Sequence, residues 1–252
     1  MNSKKRENLS ENEHIRLQVY LARAGLSSRR SAVELLSMGR VRVNGKVVKE
    51  AGYHVKGSDT VEVDGKKTSI TQNLVYYIFH KPSKTLCSTK DDEHRDLVFS
   101  LIQPFVKERI FPVGRLDYMT SGLLLFTNDG EWARLLAHPS TEMEKEYLVE
   151  TKKEIPEELL QAFQEGLWID KERFRCHSYR LENPHAVKLI LTEGKNREIR
   201  KVFQSRSITV KRVHRLRVGS LVLKGLEPGH FRKLTPAEYR ILSREAGLGR
   251  SN

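Results

Sequence analysis

Cysteine is scarce in this chain: 252 residues include only Cys87 and Cys176. Two thiols so far apart build no disulfide framework, and no C-x-x-C pair exists to hold zinc. Cys176-His177 is metal-like only in isolation, so no metal is expected. Long apolar runs are missing as well. Nothing approaches the ~20 consecutive apolar residues of a spanning helix. The segment Met1 to Glu13 is polar, which argues against a secretory leader. No glycine-rich cofactor loop, internal repeat or low-complexity segment occurs. These absences lead us to expect a soluble cytoplasmic protein without membrane, metal or cofactor. Acid is also in short supply. Asp and Glu number 32 against 45 Lys and Arg, for a net charge of +13 and a pI of about 9.7. A surplus of that size fits a polyanionic partner, nucleic acid above all.

The chain is long enough for one large domain and a small one. Residues 1–14 are polar and read as a disordered tail. From Ile15 to Tyr20 and Leu21 the apolar spacing predicts a short helix, which Gly25 ends. Ser27 or Ser28 caps a second helix, with Ala32, Val33, Leu35 and Leu36 as its apolar residues and Gly39 as its stop. Val41-Arg42-Val43 then alternates, Asn44-Gly45 turns, and Lys46-Val47-Val48 returns, a strong hairpin pattern. Thr60 to Val63 before Asp64-Gly65 predicts a further strand. Arg29, Arg30, Arg40, Arg42 and Lys46 gather around the second helix start and the hairpin. A basic edge of that kind suits phosphate contacts, which position an RNA rather than read its sequence.

A linker at 69–73 leads into one α+β domain over 74–243. Strands are expected at 74–80, 122–127, 145–150, 187–192 and 209–213, and helices at 130–137, 157–165 and 196–205. The tail 244–252 reads as frayed. Within this domain, Gly114-Arg115-Leu116-Asp117-Tyr118-Met119-Thr120-Ser121-Gly122 sets one carboxylate between an arginine and a small-residue turn. The apolar strand Leu123 to Phe126 follows. An acid held that way can serve as a nucleophile. In an extended loop Arg115 and Asp117 point the same way. In Met143 to Val149, period two puts Met143, Lys145, Tyr147 and Val149 on one face. An inward tyrosine is most often simply core. In Asn196 to Phe203, winding at about 100° per residue puts Arg197, Arg200 and Lys201 opposite Ile199, Val202 and Phe203. Downstream, Lys211 to Arg217 alternates basic and apolar residues, with Arg215 a candidate phosphate contact.

Taken together, these segments closely resemble the RNA pseudouridine synthases, in the branch that modifies ribosomal RNA. Residues 16–67 resemble the RNA-binding module named for ribosomal small-subunit protein four. The resemblance implies a small N-terminal α/β module of that type, followed by a catalytic domain with a mixed or antiparallel sheet. It implies the isomerisation of a uridine to pseudouridine, with no cofactor. It carries the nucleophile role onto Asp117, base replacement in the stack onto Arg115, and stacking on the target uracil onto Tyr147, with Lys145 beside it. It carries pairing with Asp117 onto Arg200, and RNA contact onto Arg197, Arg29, Arg30, Arg40 and Lys46. The expected partner is ribosomal RNA, bound by a monomer.

Two positions depart from the family pattern. After His80-Lys81-Pro82 the family has a glycine two residues on, where this chain has Lys84, so neither Lys81 nor Lys84 is given a role. Met119 fills a slot that is often polar, which leaves the sequence context of the target open. Ile110 to Arg115 and the Tyr118, Thr120-Ser121-Gly122 spacing favour the large-subunit branch. The small-subunit branch, a relative acting on transfer RNA, and a non-catalytic RNA-binding assembly factor are the alternatives. A pure binder, however, has no need of an acid inside a cationic cleft.

Overall fold

The computed structural model describes residues 13–70 and 73–248. Of the tail expected at 1–14, residues 1–12 lie outside the described residues, as do 71–72 of the expected linker and the last four residues. The chain forms two compact units. The first runs to Val75 and takes in Lys107–Ile110 and Asn128–Gly130; the second holds the remainder.

In the first unit, β1 (Ile15–Arg16) precedes α1 (Leu17–Arg23) and α2 (Arg29–Ser37). Ile15 is therefore a strand residue rather than helical: β1 pairs with β4 (His54–Val55) before the helix starts. Ser28 caps α2 by accepting from Ser31 N–H at 3.0 Å, and Gly39 leaves the helix at φ +70°. Strands β2 (Val41–Val43) and β3 (Lys46–Val47) make the expected hairpin, and β5 (Val61–Val63) and β6 (Lys66–Thr68) make a second. Both turns, Asn44-Gly45 and Asp64-Gly65, have two successive positive φ angles, which match the twist of the strands they join. Leu17, Leu21, Leu36, Val41, Val55 and Val61 close a core of its own.

The second unit is organised by a nine-stranded sheet. Its elements in chain order are β7 (Tyr76–Lys81), α3 (Val98–Ile102), β8 (Phe111–Val113), β9 (Thr120–Thr127), α4 (Gly130–Ala137), β10 (Lys145–Thr151), α5 (Glu157–Glu165), β11 (Leu167–Ile169), β12 (Glu172–Phe174), β13 (Ser178–Asn183), β14 (Ala186–Leu191), α6 (Glu198–Gln204), β15 (Val210–Val218), β16 (Leu221–Val222), β17 (Phe231–Lys233) and α7 (Pro236–Glu245). Across the sheet the order is β13-β14-β10-β15-β9-β7-β17, with β8 added to β9 and β16 to β15. The sheet is mixed: β15 runs parallel to β9, and the other pairings are antiparallel. Its central strand β9 is buried along nearly its whole length, which explains the unbroken apolar run in its sequence.

The C-terminal segment differs from the frayed tail expected from residue 244. α7 opens with a Thr235/Glu238 capping box and continues to Glu245, and Ala246 is buried in the core around Trp132 and Leu242. Apolar contacts offset the entropy of ordering these residues. The small hairpin β11–β12 was not foreseen. Its three-residue strands are too short to show a period.

Candidate active site

Strand β8 ends at Val113 and β9 starts at Thr120, so residues 114–119 form a loop that leads into a buried strand. Leu116 is buried while Arg115 and Asp117 on either side are exposed. Asp117 opens a tight turn, its carbonyl accepting from Thr120 N–H at 3.0 Å. The carbonyls along this turn are tied to the protein. Tyr118 O accepts from Lys84 N–H at 2.8 Å and from Lys81 Nζ at 3.3 Å. Met119 O accepts from Ser83 Oγ at 3.1 Å and from Arg200 Nη2 at 3.4 Å. Thr120 O accepts from Lys81 Nζ at 2.8 Å. The Leu116 N–H points to Cys87 Sγ at 3.5 Å, and the Arg95 guanidinium lies 5.8 Å from the Tyr118 ring centre. A loop residue, which ordinarily has backbone freedom, is thus fixed by four neighbouring segments.

Lys81 was given no role on sequence grounds and proves to be the main anchor. It is fully buried, and its ammonium reaches three carbonyls, of Pro82, Tyr118 and Thr120. Burial pushes its pKa down to about 8, against the pull of Cys87 and Asp117. One signal was available: with period two, Lys81 shares a face with the buried Tyr77 and Phe79. Lys84 stands at φ +61°, the left-handed conformation that favours glycine.

The sheet register sets a row of residues next to this loop. Lys81 pairs with Gly122, Gly122 with Arg215, Arg215 with Tyr147, and Tyr147 with Leu189. Gly122 stands at φ +111°, and a Cβ there would meet the Arg215 carbonyl oxygen at 2.2 Å, so only glycine lets β9 and β15 approach this closely. Tyr147 is buried on the same strand face as Val149, as the alternation indicated. Arg215 corrects its expectation. It is 5% exposed, with Nε donating to Leu123 O at 2.7 Å, so it forms part of the sheet rather than a free phosphate contact. The cause is its strand: β15 is flanked on both sides, by β9 and β10. Lys145 is likewise committed, donating to Met143 O at 2.9 Å and Thr192 O at 3.1 Å. Burial, followed by the nearby Arg215, lowers its pKa to about 8.

Helix α6 starts at Glu198, two residues later than its sequence suggested. Arg197, just before it, is exposed at φ +51° and remains free to meet a ligand. Arg200 does not make the direct pair with Asp117 that was expected. Its Nη1 donates to Val210 O at 3.3 Å and its Nη2 to Met119 O. Its charge still acts on Asp117, which partly offsets the lowering of its pKa by burial. Lys201 turns away from this group, 3.3 Å from Glu172 and over the Phe174 ring. Glu198, also missed, is 3% exposed. One of its oxygens accepts from Lys195 N–H at 3.2 Å and the other has no partner. Burial raises its pKa to about 7, although the Lys195 amide favours the ionised form. Its place at the start of an amphipathic helix gave no sign of burial.

In the first unit Arg29, Arg30, Arg40 and Lys46 are all exposed. Arg40 is engaged, its guanidinium bridging both carboxylate oxygens of Asp64. Cys176 is buried, and burial pushes its thiol up to about 12. Among the described residues no cluster of three or more His, Cys, Asp or Glu could hold a metal ion. No helix among them is long and apolar enough to cross a membrane.

A buried sheet that presents an exposed, clamped aspartate among cations, in a chain that also carries a small basic module, fits a nucleic-acid-modifying class of protein. Comparison with known proteins gives the particular family. The family described as RNA pseudouridylate synthase matches residues 75–205, and the S4 domain matches residues 15–61. An uncharacterized RNA pseudouridine synthase of Borreliella burgdorferi is 43% identical over 88% of this chain and 90% of its own length. Ribosomal large subunit pseudouridine synthase B of Bacillus subtilis is 38% identical over 94% of this chain and 98% of its own. A crystal structure of a pseudouridylate synthase aligns with a TM-score of 0.67 at 25% identity, over 90% of this chain and 99% of that one. The chain belongs to the RNA pseudouridine synthase family and carries an S4 domain at its N-terminal side.

Proposed function

We propose that this enzyme isomerises one uridine of ribosomal RNA to pseudouridine, that the RNA is from the large subunit, and that Asp117 is the nucleophile. The observation that carries the reading is the Asp117 turn: an exposed carboxylate whose backbone is fixed by Lys81, Lys84, Ser83 and Arg200. Fixing the nucleophile before substrate arrives removes its ordering cost from the barrier. The large-subunit assignment rests on the similarity to the Bacillus subtilis protein.

In this reading Arg115 enters the stack as the target uridine leaves it, since a planar cation that stacks and hydrogen-bonds offsets part of the extrusion cost. Tyr147 stacks on the extruded base. Asp117 adds covalently to the nucleotide, the glycosidic C–N bond breaks, the base turns over and a C–C bond forms as Asp117 leaves, while the ring carbon gives up its proton and the freed ring nitrogen takes one up. The isomerisation is redox-neutral. Arg200 acts by holding the turn through its hydrogen bond to Met119 O. Arg197, Arg29, Arg30 and Lys46 contact phosphates.

The test is pseudouridine mapping by mass spectrometry after incubation with unmodified large- and small-subunit ribosomal RNA. Wild type is expected to add one site in the large-subunit RNA, and Asp117→Ala none. Equal product from Asp117→Ala would remove the nucleophile assignment; product only in the small-subunit RNA would overturn the choice of substrate.

A further inference from the structure

The chain contains two tryptophans, and their environments are opposite. Trp132 is fully buried, its Nε1 donating to Ser243 Oγ at 2.9 Å. Trp168 is 68% exposed on the hairpin β11–β12. Burying so large an apolar surface is worth more than for almost any other side chain. One left in water at the centre of a strand calls for an occupant.

The hairpin is not loosely attached. Its inner face carries Leu167, Ile169, Glu172 and Phe174, and Phe174 is fully buried. Lys201 of α6 reaches Glu172 at 3.3 Å and lies 5.2 Å from the Phe174 ring centre. Lys195, in the loop that leads into α6, donates to the Arg173 carbonyl and stands 5.8 Å from the same ring. The hairpin is therefore braced on the helix whose Arg200 holds the Asp117 turn. The hairpin and the Asp117 turn are thus attached to the same helix and the loop that leads into it.

The outer face has one chemical character. Trp168 pairs in register with Arg173, and both are exposed. Arg173 is steadied by a bond from its Nη2 to Glu165 O at 2.7 Å, and Arg175 by one from its Nε to Gln164 O at 3.2 Å. Lys171 adds a third exposed cation at the turn, with Asp170 and Glu165 as exposed acids nearby. Among the described residues no ring or cation stacks on Trp168. An open aromatic face beside fixed guanidinium groups suits an unpaired nucleobase with its phosphate: the ring takes the base and the cations take the charge.

We propose that the outer face of β11–β12 is a second RNA-contacting surface, on which Trp168 stacks an unpaired base flanking the target uridine while Arg173 and Arg175 hold its phosphates. This rests on the RNA-modifying reading of the Asp117 site, and its effect is on substrate binding rather than on chemistry.

Because Trp132 is sealed in the core, intrinsic fluorescence isolates Trp168. Trp168→Phe supplies the Trp132-only blank. Full-length protein is titrated with a 12-nucleotide oligoadenylate and, separately, with unmodified large-subunit ribosomal RNA. The expected result is loss of Trp168 emission and protection from acrylamide with both. With ribosomal RNA as substrate, Trp168→Ala should raise KM by about 10-fold at unchanged kcat, and Trp168→Phe should restore most of the loss, since stacking needs only a ring. Trp168 still open to acrylamide at saturating RNA, or an unchanged KM in Trp168→Ala, would overturn the proposal and reassign the surface to a protein partner. Wild type that forms no pseudouridine in either ribosomal RNA would count against the proposed function instead, and the fluorescence titration would still decide the surface.

Discussion

The two units use the same basic side chains in opposite ways. In the S4 unit, Arg29, Arg30 and Lys46 stand in solvent. In the catalytic unit, Lys81, Lys145 and Arg215 turn inward and are spent on backbone carbonyls. A cation in water is available to a phosphate at little cost. A buried one has lost its hydration and recovers it only through fixed acceptors, so it becomes part of the scaffold. The depressed pKa values of Lys81 and Lys145 record that lost hydration. The basic side chains thus form two populations, one open to solvent and one built into the frame, with Lys81 holding the Asp117 turn.

Breaking the buried population should have the largest effect. Lys81→Met removes the ammonium donor from three carbonyls, of which Pro82 O keeps Thr85 Oγ1 and Tyr118 O keeps Lys84 N–H. We expect a loss of about 2–4 kcal/mol in urea unfolding and a fall in single-turnover rate of at least about 100-fold. Full turnover in a destabilised protein would show that the clamp is structural only.

Glu198→Gln sharpens the same point through pH. The carboxyl titrates near 7 in the folded state against 4.5 ordinarily. Below 4.5 it is neutral in both states. As pH rises to 7 the unfolded chain ionises while the folded one stays neutral, so wild type loses up to about 3 kcal/mol. The glutamine variant escapes this loss. Its stability advantage over wild type should grow from pH 4.5 to 7 and stay level above, as followed by urea midpoints at each pH. A difference independent of pH would place the charge elsewhere.

The exposed population should behave otherwise. Arg29→Ala and Arg30→Ala should each weaken RNA binding by about 10-fold at low salt and reduce the salt slope by about one, with unfolding unchanged. Filter binding across a salt series measures both. The smallest effect on binding is expected from Arg40→Ala, because Asp64 already holds two of its nitrogens. A loss as large as that of Arg29→Ala would mean that RNA displaces Asp64.

Much of this was legible in the chain. The Asn44-Gly45 hairpin, the Ser28 cap, the helices at 130–137 and 157–165 and the main strands follow from local rules: turn residues with positive φ, capping hydroxyls and apolar period. The alternation of Arg115, Leu116 and Asp117, and of Tyr147 with Val149, also follows from the backbone repeat. The sequence therefore determined most of the main elements, the two-unit order and the side of a strand that a residue takes. Burial depth across the sheet was decided only by tertiary structure. Arg215 alternates like a surface residue, yet its strand lies between two others. Lys81 had no role because Lys84 stands where the family has glycine, yet its ammonium reaches the carbonyls of the Asp117 turn. Arg200 donates to Met119 O rather than pairing directly with Asp117. A period says which side of an element a residue takes. What covers that side comes from residues far along the chain, and there the same lysine or arginine becomes either a ligand contact or part of the frame.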